Sequence, residues 1–515
     1  MSNTVSDLLR DHPADALAIG APDRGWLDFG ALRDLESVTR ASLRALGLGR
    51  GDRVAIVLPN GPEMASAFVT LAASVTTAPL NPAYREEELA FYLEDLKARA
   101  VLVAEDYDGP ALAVAGRLGV RVLRLSTAAD RPAGWFEIRA EGESTVPALP
   151  ADRSGAAEAD DVALILHTSG TTSRPKIVPL LHRNLAASAG NIGTALALTP
   201  ADRCLNIMPL FHIHGLIAAV LSSLAAGASV WCSPGFNALQ FFSWLEAAEP
   251  TWFTAVPTMH QAILARAPRN RETVAASRLR LIRSSSASLP PQVMKALAET
   301  FGAPVIESYG MTEATHQMAS NPLPPRAQKP GSVGVEAGPL VRIAEETGNR
   351  LLDSCATGEV VISGDNVTPG YEANPEANAK SFFEFDGRRW FRTGDQGVLD
   401  DEGYLRITGR LKEIINRGGE KVSPLEVDEV LMDHPAVQQV VTFAMPHDKL
   451  GEEIAAAVVL RPDVEATEQE IRAFAAGRLA DFKVPRRVVI LEEIPKGATG
   501  KLQRIGLAEK LGLVP

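Results

Sequence analysis

The segment Thr168–Lys176 reads T-S-G-T-T-S-R-P-K and concentrates groups that bind phosphate. It brings together five hydroxyls, a glycine, two cations and a proline, in the order Thr168, Ser169, Gly170, Thr171, Thr172, Ser173, Arg174, Pro175 and Lys176. Hydroxyls and cations bind phosphate oxygens, and a glycine lets the backbone approach them. The run Asp160–His167 just before it predicts a buried strand. A strand that leads into such a loop is typical of a polyphosphate site, and an ordinary serine-rich surface loop is the alternative.

The loop differs from the Walker pattern, because Lys176 is followed by Ile177 rather than by serine or threonine. Further blocks follow it along the chain: Y-G-M-T-E from Tyr309, W-F-R-T-G-D from Trp390, G-R-L-K-E-I-I from Gly409, and P-K-G-A-T-G-K from Pro495. Together these blocks resemble the adenylate-forming superfamily of acyl-CoA synthetases, luciferases and peptide synthetase adenylation domains. That family usually has glycine at the positions of Ser173 and Ile177. We therefore expect the nucleotide affinity or the mobility of this loop to be unusual.

The resemblance implies a two-step reaction that activates a carboxylic acid. ATP first converts the carboxylate into an acyl adenylate and pyrophosphate, and CoA then takes the acyl group and releases AMP. The first step joins anions, so cations must neutralise the developing charge. ATP, Mg²⁺ and CoA are therefore the expected cofactors and co-substrates. A CoA acceptor is favoured over a carrier protein because no carrier module is fused to the chain.

The resemblance also assigns roles to individual residues. The expected nucleotide site comprises Thr168, Ser169, Gly170, Thr171, Thr172, Lys176, Ser286, Ala287, Ser288, Glu307, Ser308, Tyr309, Gly310, Met311, Thr312, Asp395, Ile407, Arg410 and Lys501. In it Asp395 would bind the ribose hydroxyls, Tyr309 the adenine, and Arg410 a phosphate or the ribose. The expected catalytic residues are Lys501, Thr312, Glu313 and His212. Glu313 would also hold Mg²⁺, and Lys501 would bridge the substrate carboxylate and the α-phosphate.

A second face is expected to serve the CoA step. The resemblance implies that a small domain turns about a hinge at Lys412 and replaces the lysine-bearing loop with a surface that admits a thiol. This CoA-binding surface is expected at Arg417, Gly418, Gly419 and Lys421. The glycines suit the passage of a narrow pantetheine arm.

The expected acid pocket is unusually polar for this superfamily. Its candidate residues are His212, His214, Ser284, Ser286, Ser288 and His316. A buried second carboxylate must be hydrogen-bonded, and imidazoles and hydroxyls can serve it. The pocket therefore favours a two-carbon diacid.

Several of these blocks also resemble the oxalate–CoA ligases in wording, including H-T-S-G-T-T-S-R-P-K, M-T-E-A-T-H and I-N-R-G-G-E-K. Oxalate is thus the favoured acid, and malonate or another short or medium acid is the alternative. Malonate would be expected to need an arginine fork, for which Arg283 is the candidate. The H-x-H pair could instead hold a metal, and the serine run could be a tight small-residue loop. A non-catalytic nucleotide-binding scaffold and a luciferase-type oxygenase are the alternatives outside this reaction class.

Composition agrees with a large enzyme. The length of 515 residues predicts more than one domain. The net charge of -12 argues against nucleic acid as a partner. Three scattered cysteines exclude a disulfide framework and favour a cytoplasmic protein. The start of the chain has no signal-peptide pattern. The apolar run Leu216–Val230 predicts a buried helix rather than a membrane span, so no membrane partner is expected. Small molecules are the expected partners, and the chain is expected to be a monomer or homodimer.

Alternating strand and helix patterns predict where these residues lie. The strands Gly51–Asn60 and Ala100–Val103, with the helix Met64–Val75 between them, indicate parallel sheets covered by helices. A smaller α+β pattern follows Leu405–Arg410, with predicted elements at Pro424–Met432, Gln439–Ala444, Ala455–Leu460 and Glu468–Leu479. The fold class is therefore α/β. An AMP-binding domain is expected at residues 1–410, and a mobile lid domain with the catalytic lysine at 411–515.

Overall fold

The computed structural model describes residues 3–141, 153–168, 175–495 and 503–514. In those ranges the chain forms four β-sheets with helices packed against them. The inner strands of the two largest sheets are apolar along most of their length, as in Ala100–Ala104, because helices cover both of their faces. The α/β class predicted from the alternating pattern is therefore confirmed.

The first sheet has nine strands, and its central strands run parallel. In spatial order they are Val335–Glu336, His316–Ser320, Val305–Met311, Leu281–Ser284, Trp252–Ala255, Arg203–Asn206, Ser229–Cys232, Leu17–Ala21 and Arg24–Asp28. The carboxyl ends of the parallel strands meet at one edge, where ligands bind in open α/β sheets.

The second sheet has seven strands, again with a parallel centre. In spatial order they are Glu137–Ala140, Arg121–Ser126, Ala100–Ala104, Arg53–Val57, Thr76–Pro79, Val162–Thr168 and Lys176–Leu181. The strands at the two ends of the phosphate loop pair with each other, with Thr168 opposite Lys176. This pairing fixes both ends of the loop at one place.

A third sheet is antiparallel, which the sequence patterns did not predict. Its strands are Leu340–Ala344, Gly358–Ser363, Arg388–Leu399, Phe382–Phe385 and Leu405–Arg410. In the last pair Asp395 lies directly opposite Arg410. The sheet therefore places two expected nucleotide-binding residues side by side.

The fourth sheet belongs to the C-terminal part of the chain. Its strands are Glu420–Val422, Ile415–Arg417, Gly451–Leu460, Val437–His447 and Arg487–Ile490. It has its own apolar core, in which Val427, Leu431 and Ile471 are buried against the sheet. A separate core is what a small domain needs in order to move as a unit. The division at residues 410 and 411 remains a prediction.

The helices mostly cover the faces of these sheets. The α-helices are Asp7–Arg10, Phe29–Ala45, Pro62–Ala72, Glu86–Asp95, Pro110–Leu118, His182–Ala195, Ser222–Ala225, Phe241–Ala248, Pro257–Leu264, Arg271–Ala276, Pro291–Phe301, Pro375–Ser381, Pro424–Met432, Glu468–Ala476 and Leu507–Lys510. Single 3₁₀ turns occur at Ala267–Arg269, Thr312–Ala314 and Asp481–Lys483. No described helix is both long enough and apolar enough to cross a bilayer.

The predicted elements are present, with bounds that differ by a few residues. The strand predicted at Gly51–Asn60 is Arg53–Val57, because Gly51 is in a left-handed turn at φ +78° and Pro59 follows the strand. The strand Leu405–Arg410 and the helix Pro424–Met432 match their predicted bounds.

The buried helix predicted over Leu216–Val230 is present but shorter than predicted, because the last residues of the segment leave the helix. The segment begins within a π-helix at His214–Leu221, continues as one α-helical turn, and enters the strand Ser229–Cys232. Two serine hydroxyls bind carbonyls four residues earlier, Ser222 that of Ala218 at 2.7 Å and Ser223 that of Ala219 at 2.6 Å. Such back-bonding weakens a helix, and a left-handed glycine then ends it.

Candidate active site

Asp395 is held between two partners at the edge of the third sheet. Arg410 donates a hydrogen bond from Nε to Oδ1 of Asp395 at 3.0 Å, and the hydroxyl of Tyr309 donates to Oδ2. Asp395 raises the pKa of Arg410, and burial together with Asp395 raises the pKa of Tyr309. Both partners therefore stay protonated donors at neutral pH. The carboxylate is fixed in position as an acceptor that suits a pair of ribose hydroxyls.

Glu313 forms a second acidic position, in the 3₁₀ turn after the Tyr309 strand. Its carboxylate is buried and accepts a hydrogen bond from the hydroxyl of Tyr371 at 2.8 Å. The ammonium group of Lys176 lies 4.3 Å from the centre of the Tyr371 ring, a cation–π distance. Tyr371 thus links the lysine at the end of the phosphate loop to the acidic turn.

Three lysines share this region. Burial lowers the pKa of Lys176, and the ammonium groups of Lys412 and Lys380 lower it further, while Glu313 opposes them. Lys380 also pairs with Glu376 at 2.6 Å. Repulsion among the cations would be relieved by a bound polyphosphate. The expected hinge residue, Lys412, therefore lies within electrostatic range of the phosphate loop.

The donor set fits a magnesium ion held jointly by protein and substrate. No group of three or more possible histidine, cysteine or carboxylate ligands occurs in the described ranges, so a metal held by the H-x-H pair finds no support there. Mg²⁺ commonly uses one or two carboxylates together with substrate phosphates. Glu313, buried beside the loop lysine, is suited to that part.

A cluster of polar side chains fills the interior behind this turn. His214 contacts the Ser286 hydroxyl through Nδ1 at 3.1 Å and the Thr254 hydroxyl through Nε2 at 2.6 Å. Arg283 lies 3.3 Å from the same Nε2, and the His316 ring meets the His214 ring edge-on at 4.9 Å. Thr254 and Arg283 are paired near the carboxyl ends of adjacent parallel strands. The carboxyl edge of the first sheet therefore carries a compact hydrogen-bonded cluster of polar side chains.

The Y-G-M-T-E-A-T-H block reverses the chain direction between two antiparallel strands. His316 has a left-handed backbone at φ +95° and pairs with Met311 on the preceding strand. A Cβ on Gly310 would overlap the backbone of His316, so only glycine fits there. This close approach brings His316 back against Gly310 and Met311.

Other predicted pocket residues lie further from this cluster. Ser288 and Ala287 are exposed, whereas Ser286 is half-buried. Ser284 follows Arg283 on one strand, so its side chain lies on the opposite face, and its buried hydroxyl has no partner among the described residues. His212 is half-buried, with its ring 4.5 Å from that of Phe211.

The remaining predicted nucleotide residues are distributed as follows. Thr168 and Ile407 are half-buried strand residues, Ser308 is buried, and Gly310, Met311 and Thr312 line the reversal. Five predicted nucleotide residues lie outside the described ranges, namely Ser169, Gly170, Thr171, Thr172 and Lys501, as do Ser173 and Arg174 of the same loop. Their roles stay predictions.

The predicted CoA face is tied by ion pairs in this conformation. Arg417 pairs with Glu453 through two hydrogen bonds at 2.5 and 3.0 Å. Lys421 reaches the third sheet region and pairs with Glu346 at 2.7 Å. Gly418 and Gly419 both adopt left-handed backbones. The pair Lys421–Glu346 must open if Lys421 is to meet CoA.

Sequence reasoning missed Tyr371 and Thr254 as members of these clusters. Tyr371 stands 58 residues after Glu313 and outside every motif, so nothing in the sequence joins the two. Thr254 is the first residue of the segment T-A-V-P-T-M-H-Q, which also resembles the oxalate–CoA ligases, and this resemblance could have indicated Thr254.

Comparison with known proteins places this geometry in context. The model of the AMP-binding enzyme family matches residues 7–372, and that of the AMP-binding enzyme C-terminal domain matches residues 426–501. The chain is 45% identical to an oxalate–CoA ligase of Arabidopsis thaliana, with 98% of each chain covered. It is 36% identical to a sulfoacetate–CoA ligase of Cupriavidus necator, covering 95% of this chain and 93% of that one. The crystal structure of ATP-bound MatB from Rhodopseudomonas palustris superposes with a TM-score of 0.86, at 29% identity and 99% coverage of both chains.

Glu307 gives a test of the electrostatics at this edge of the sheet. Its carboxyl accepts a hydrogen bond from the Leu289 amide at 2.8 Å, and burial raises its pKa from 4.5 to about 8. The folded chain therefore holds a proton that the unfolded chain releases above pH 4.5. The proton on Glu307 therefore stabilises the folded chain fully below pH 4.5, and this stabilisation is lost as the pH rises towards 8.

Glu307→Gln removes this titration. We expect its melting temperature, relative to the parent, to rise by about 2 °C or more between pH 5.5 and pH 8 in ligand-free protein. Glu299→Gln, on the exposed side of the helix Pro291–Phe301, is the control and should show no such trend. A Glu307→Gln difference that is equal at both pH values would contradict the account.

Proposed function

The chain belongs to the AMP-binding enzyme family, as its motifs predicted, and we propose that it is an ATP-dependent oxalate–CoA ligase. Oxalate would be converted to oxalyl adenylate and pyrophosphate, and then to oxalyl-CoA and AMP. The observation that carries the proposal is the cluster of contacting polar side chains formed by His214, His316, Ser286 and Arg283 beside the Glu313 turn. Oxalate and sulfoacetate, named in two relatives, are both two-carbon acids with a second anionic group.

The nucleotide would bind between the second and third sheets. Asp395 accepts hydrogen bonds from the ribose, in an orientation fixed by Arg410 and Tyr309. Lys176 and Lys412 would attract the phosphates, and Glu313, which lies within electrostatic range of Lys176, would hold Mg²⁺. The bound metal ion supplies charge neutralisation at the phosphates. Residues 169–174 would complete the phosphate loop.

The acid would lie against the histidine pocket with one carboxylate directed at the α-phosphorus. That carboxylate is the nucleophile, and its distal partner remains ionised. Burying a second carboxylate is favourable only if donors surround it. Ser286, which His214 supports from behind, and the imidazole of His316 would provide donors, and the cation of Arg283 lies directly behind His214. Aromatic or long-chain acids would leave these polar groups without partners.

Transfer to CoA requires the small domain to change position. In the present conformation its CoA face is occupied by the pairs Arg417–Glu453 and Lys421–Glu346. Rotation about Lys412 would open the second pair and withdraw Lys501 from the acyl carboxylate. Gating of this type lets one cleft serve two reactions.

The substrate is tested by steady-state kinetics on the full chain, with AMP and acyl-CoA measured together. We expect oxalate to have the highest kcat/KM in a panel that includes malonate, sulfoacetate, oxamate, acetate, butyrate and benzoate. The polar cluster should lower kcat/KM for acetate, butyrate and benzoate, which have no second anionic group, by on the order of a hundredfold relative to oxalate. The reason is that a desolvated polar group without a partner costs about 1–3 kcal/mol. A higher value for acetate, butyrate or benzoate would contradict the pocket assignment, and a higher value for malonate or sulfoacetate would replace oxalate with that acid.

The two steps are separated by variants of the lysine and the hinge. Lys501→Ala should slow adenylate formation by roughly a hundredfold, the usual cost of losing one charge stabiliser, and should spare thioester formation from supplied oxalyl adenylate. Lys412→Pro should do the reverse, because proline fixes φ.

Lys412 also lies near the phosphate site, so its charge needs a separate control. Lys412→Ala loses the same ammonium group without stiffening the backbone. Transfer to CoA should therefore be slower in Lys412→Pro than in Lys412→Ala. Equal transfer rates in these two variants would exclude the hinge role, and equal losses in both half-reactions for Lys501→Ala would exclude a role specific to adenylation.

A further inference from the structure

Arg283 is a buried cation without an anionic partner. Its side chain is fully buried in the strand Leu281–Ser284, and it forms no ion pair with a carboxylate in the described ranges. Its Nη1 lies 3.3 Å from His214 Nε2 and 3.4 Å from the Thr254 hydroxyl, and Nη2 donates to Gln317 Oε1 at 3.2 Å. Nε has no hydrogen-bond partner among the described residues.

Such a group is unusual in a folded protein. Charged side chains are almost never fully buried unless they are paired, because removal from water strongly disfavours a lone charge. Burial lowers the pKa of Arg283 to about 9. The guanidinium is therefore charged at neutral pH. An anion supplied from outside the described residues would balance it.

The hydrogen-bond directions lead from this cation to the acid pocket. Arginine is only a donor, so Arg283 donates to the Thr254 oxygen at 3.4 Å and faces Nε2 of His214 at 3.3 Å. The Thr254 hydroxyl, 2.6 Å from the same Nε2, is then left to donate to it, and this arrangement assigns the ring proton to Nδ1. Nδ1–H then donates to the Ser286 oxygen at 3.1 Å. The Ser286 hydroxyl hydrogen is left to donate to a ligand. Ser286 is half-buried and has a left-handed backbone at φ +75°, so the relay ends at the surface of the cleft.

We propose that Arg283 determines the preference for an acid with a second negative charge, by holding His214 and Ser286 as donors and by placing a positive charge behind them. This inference rests on the proposed function and names the residue that sets its substrate class. Arg283 is a positioning residue, because it acts through His214. A purely structural arginine would stabilise the fold without distinguishing acids of different charge.

The test compares oxalate with oxamate, in which a planar neutral amide replaces the second carboxylate of oxalate. Arg283→Gln keeps hydrogen-bonding groups without charge, and Arg283→Lys keeps the charge. We expect Arg283→Gln to lower the oxalate-to-oxamate ratio of kcat/KM by roughly tenfold to a hundredfold, chiefly through the KM for oxalate. Arg283→Lys should keep most of that ratio, and the KM for ATP should stay within about twofold in both variants.

Arg203→Met is the matched control. Arg203 is on a nearby strand of the same sheet, stacks on Trp26 and donates to the Ala248 carbonyl at 2.7 Å, away from the pocket. Arg203→Met should leave the oxalate-to-oxamate ratio of kcat/KM unchanged. Thermal unfolding of each variant verifies that it is folded. If Arg283→Gln does not fold, the oxalate-to-oxamate ratio of kcat/KM in Arg283→Lys is compared with the ratio in the parent. Loss of the ratio in Arg283→Lys would then overturn the role of Arg283.

Each result has a distinct meaning. Equal losses for oxalate and oxamate in Arg283→Gln, or loss of the ratio in Arg283→Lys, would overturn the role of Arg283 alone. A parent enzyme that prefers oxamate or acetate to oxalate would overturn the proposed function instead. A retained ratio in Arg283→Lys with a collapsed ratio in Arg283→Gln is the result we expect.

Discussion

Burial of charge at the carboxyl edge of the first sheet constrains the rest of this structure. Arg283 and Glu307 lie on adjacent parallel strands, and neither has an opposite charge beside it among the described residues. The two groups respond differently: the carboxyl retains a proton, and the guanidinium keeps its charge. Only the guanidinium therefore offers a permanent charge to a ligand. The histidines, Thr254 and Ser286 are arranged around it.

The antiparallel third sheet complements this edge. It positions Asp395 opposite Arg410, and the Tyr309 hydroxyl from the first sheet closes on the same carboxylate. One side of the cleft thus carries acceptors for hydroxyl groups, and the other carries cations and neutral donors for anions. Such a division suits a reaction in which a nucleotide and an acid meet at the α-phosphorus.

The sequence allowed the fold class, the alternating strands and helices, and the family to be predicted, because these depend on local periodicity and on contiguous motifs. Tyr371 could not be found in this way, since its partner Glu313 is distant in sequence and the two come together only in the fold. Thr254 lies within a contiguous motif, but its contact with His214 depends on the sheet order. The π-helix at His214 was missed because hydrophobicity alone does not distinguish it from an α-helix. Ser284 was assigned to the pocket by its motif, whereas strand alternation turns it to the other face.

The proposed chemistry depends on attack by an oxalate oxygen on the α-phosphorus, which moves one oxygen atom from the acid to AMP. Oxalate labelled with ¹⁸O, incubated with the full chain, ATP and CoA, tests this transfer by mass spectrometry of the products. We expect AMP that is heavier by one ¹⁸O atom and pyrophosphate without label. Unlabelled AMP, or label in a released phosphate with formation of ADP, would contradict it.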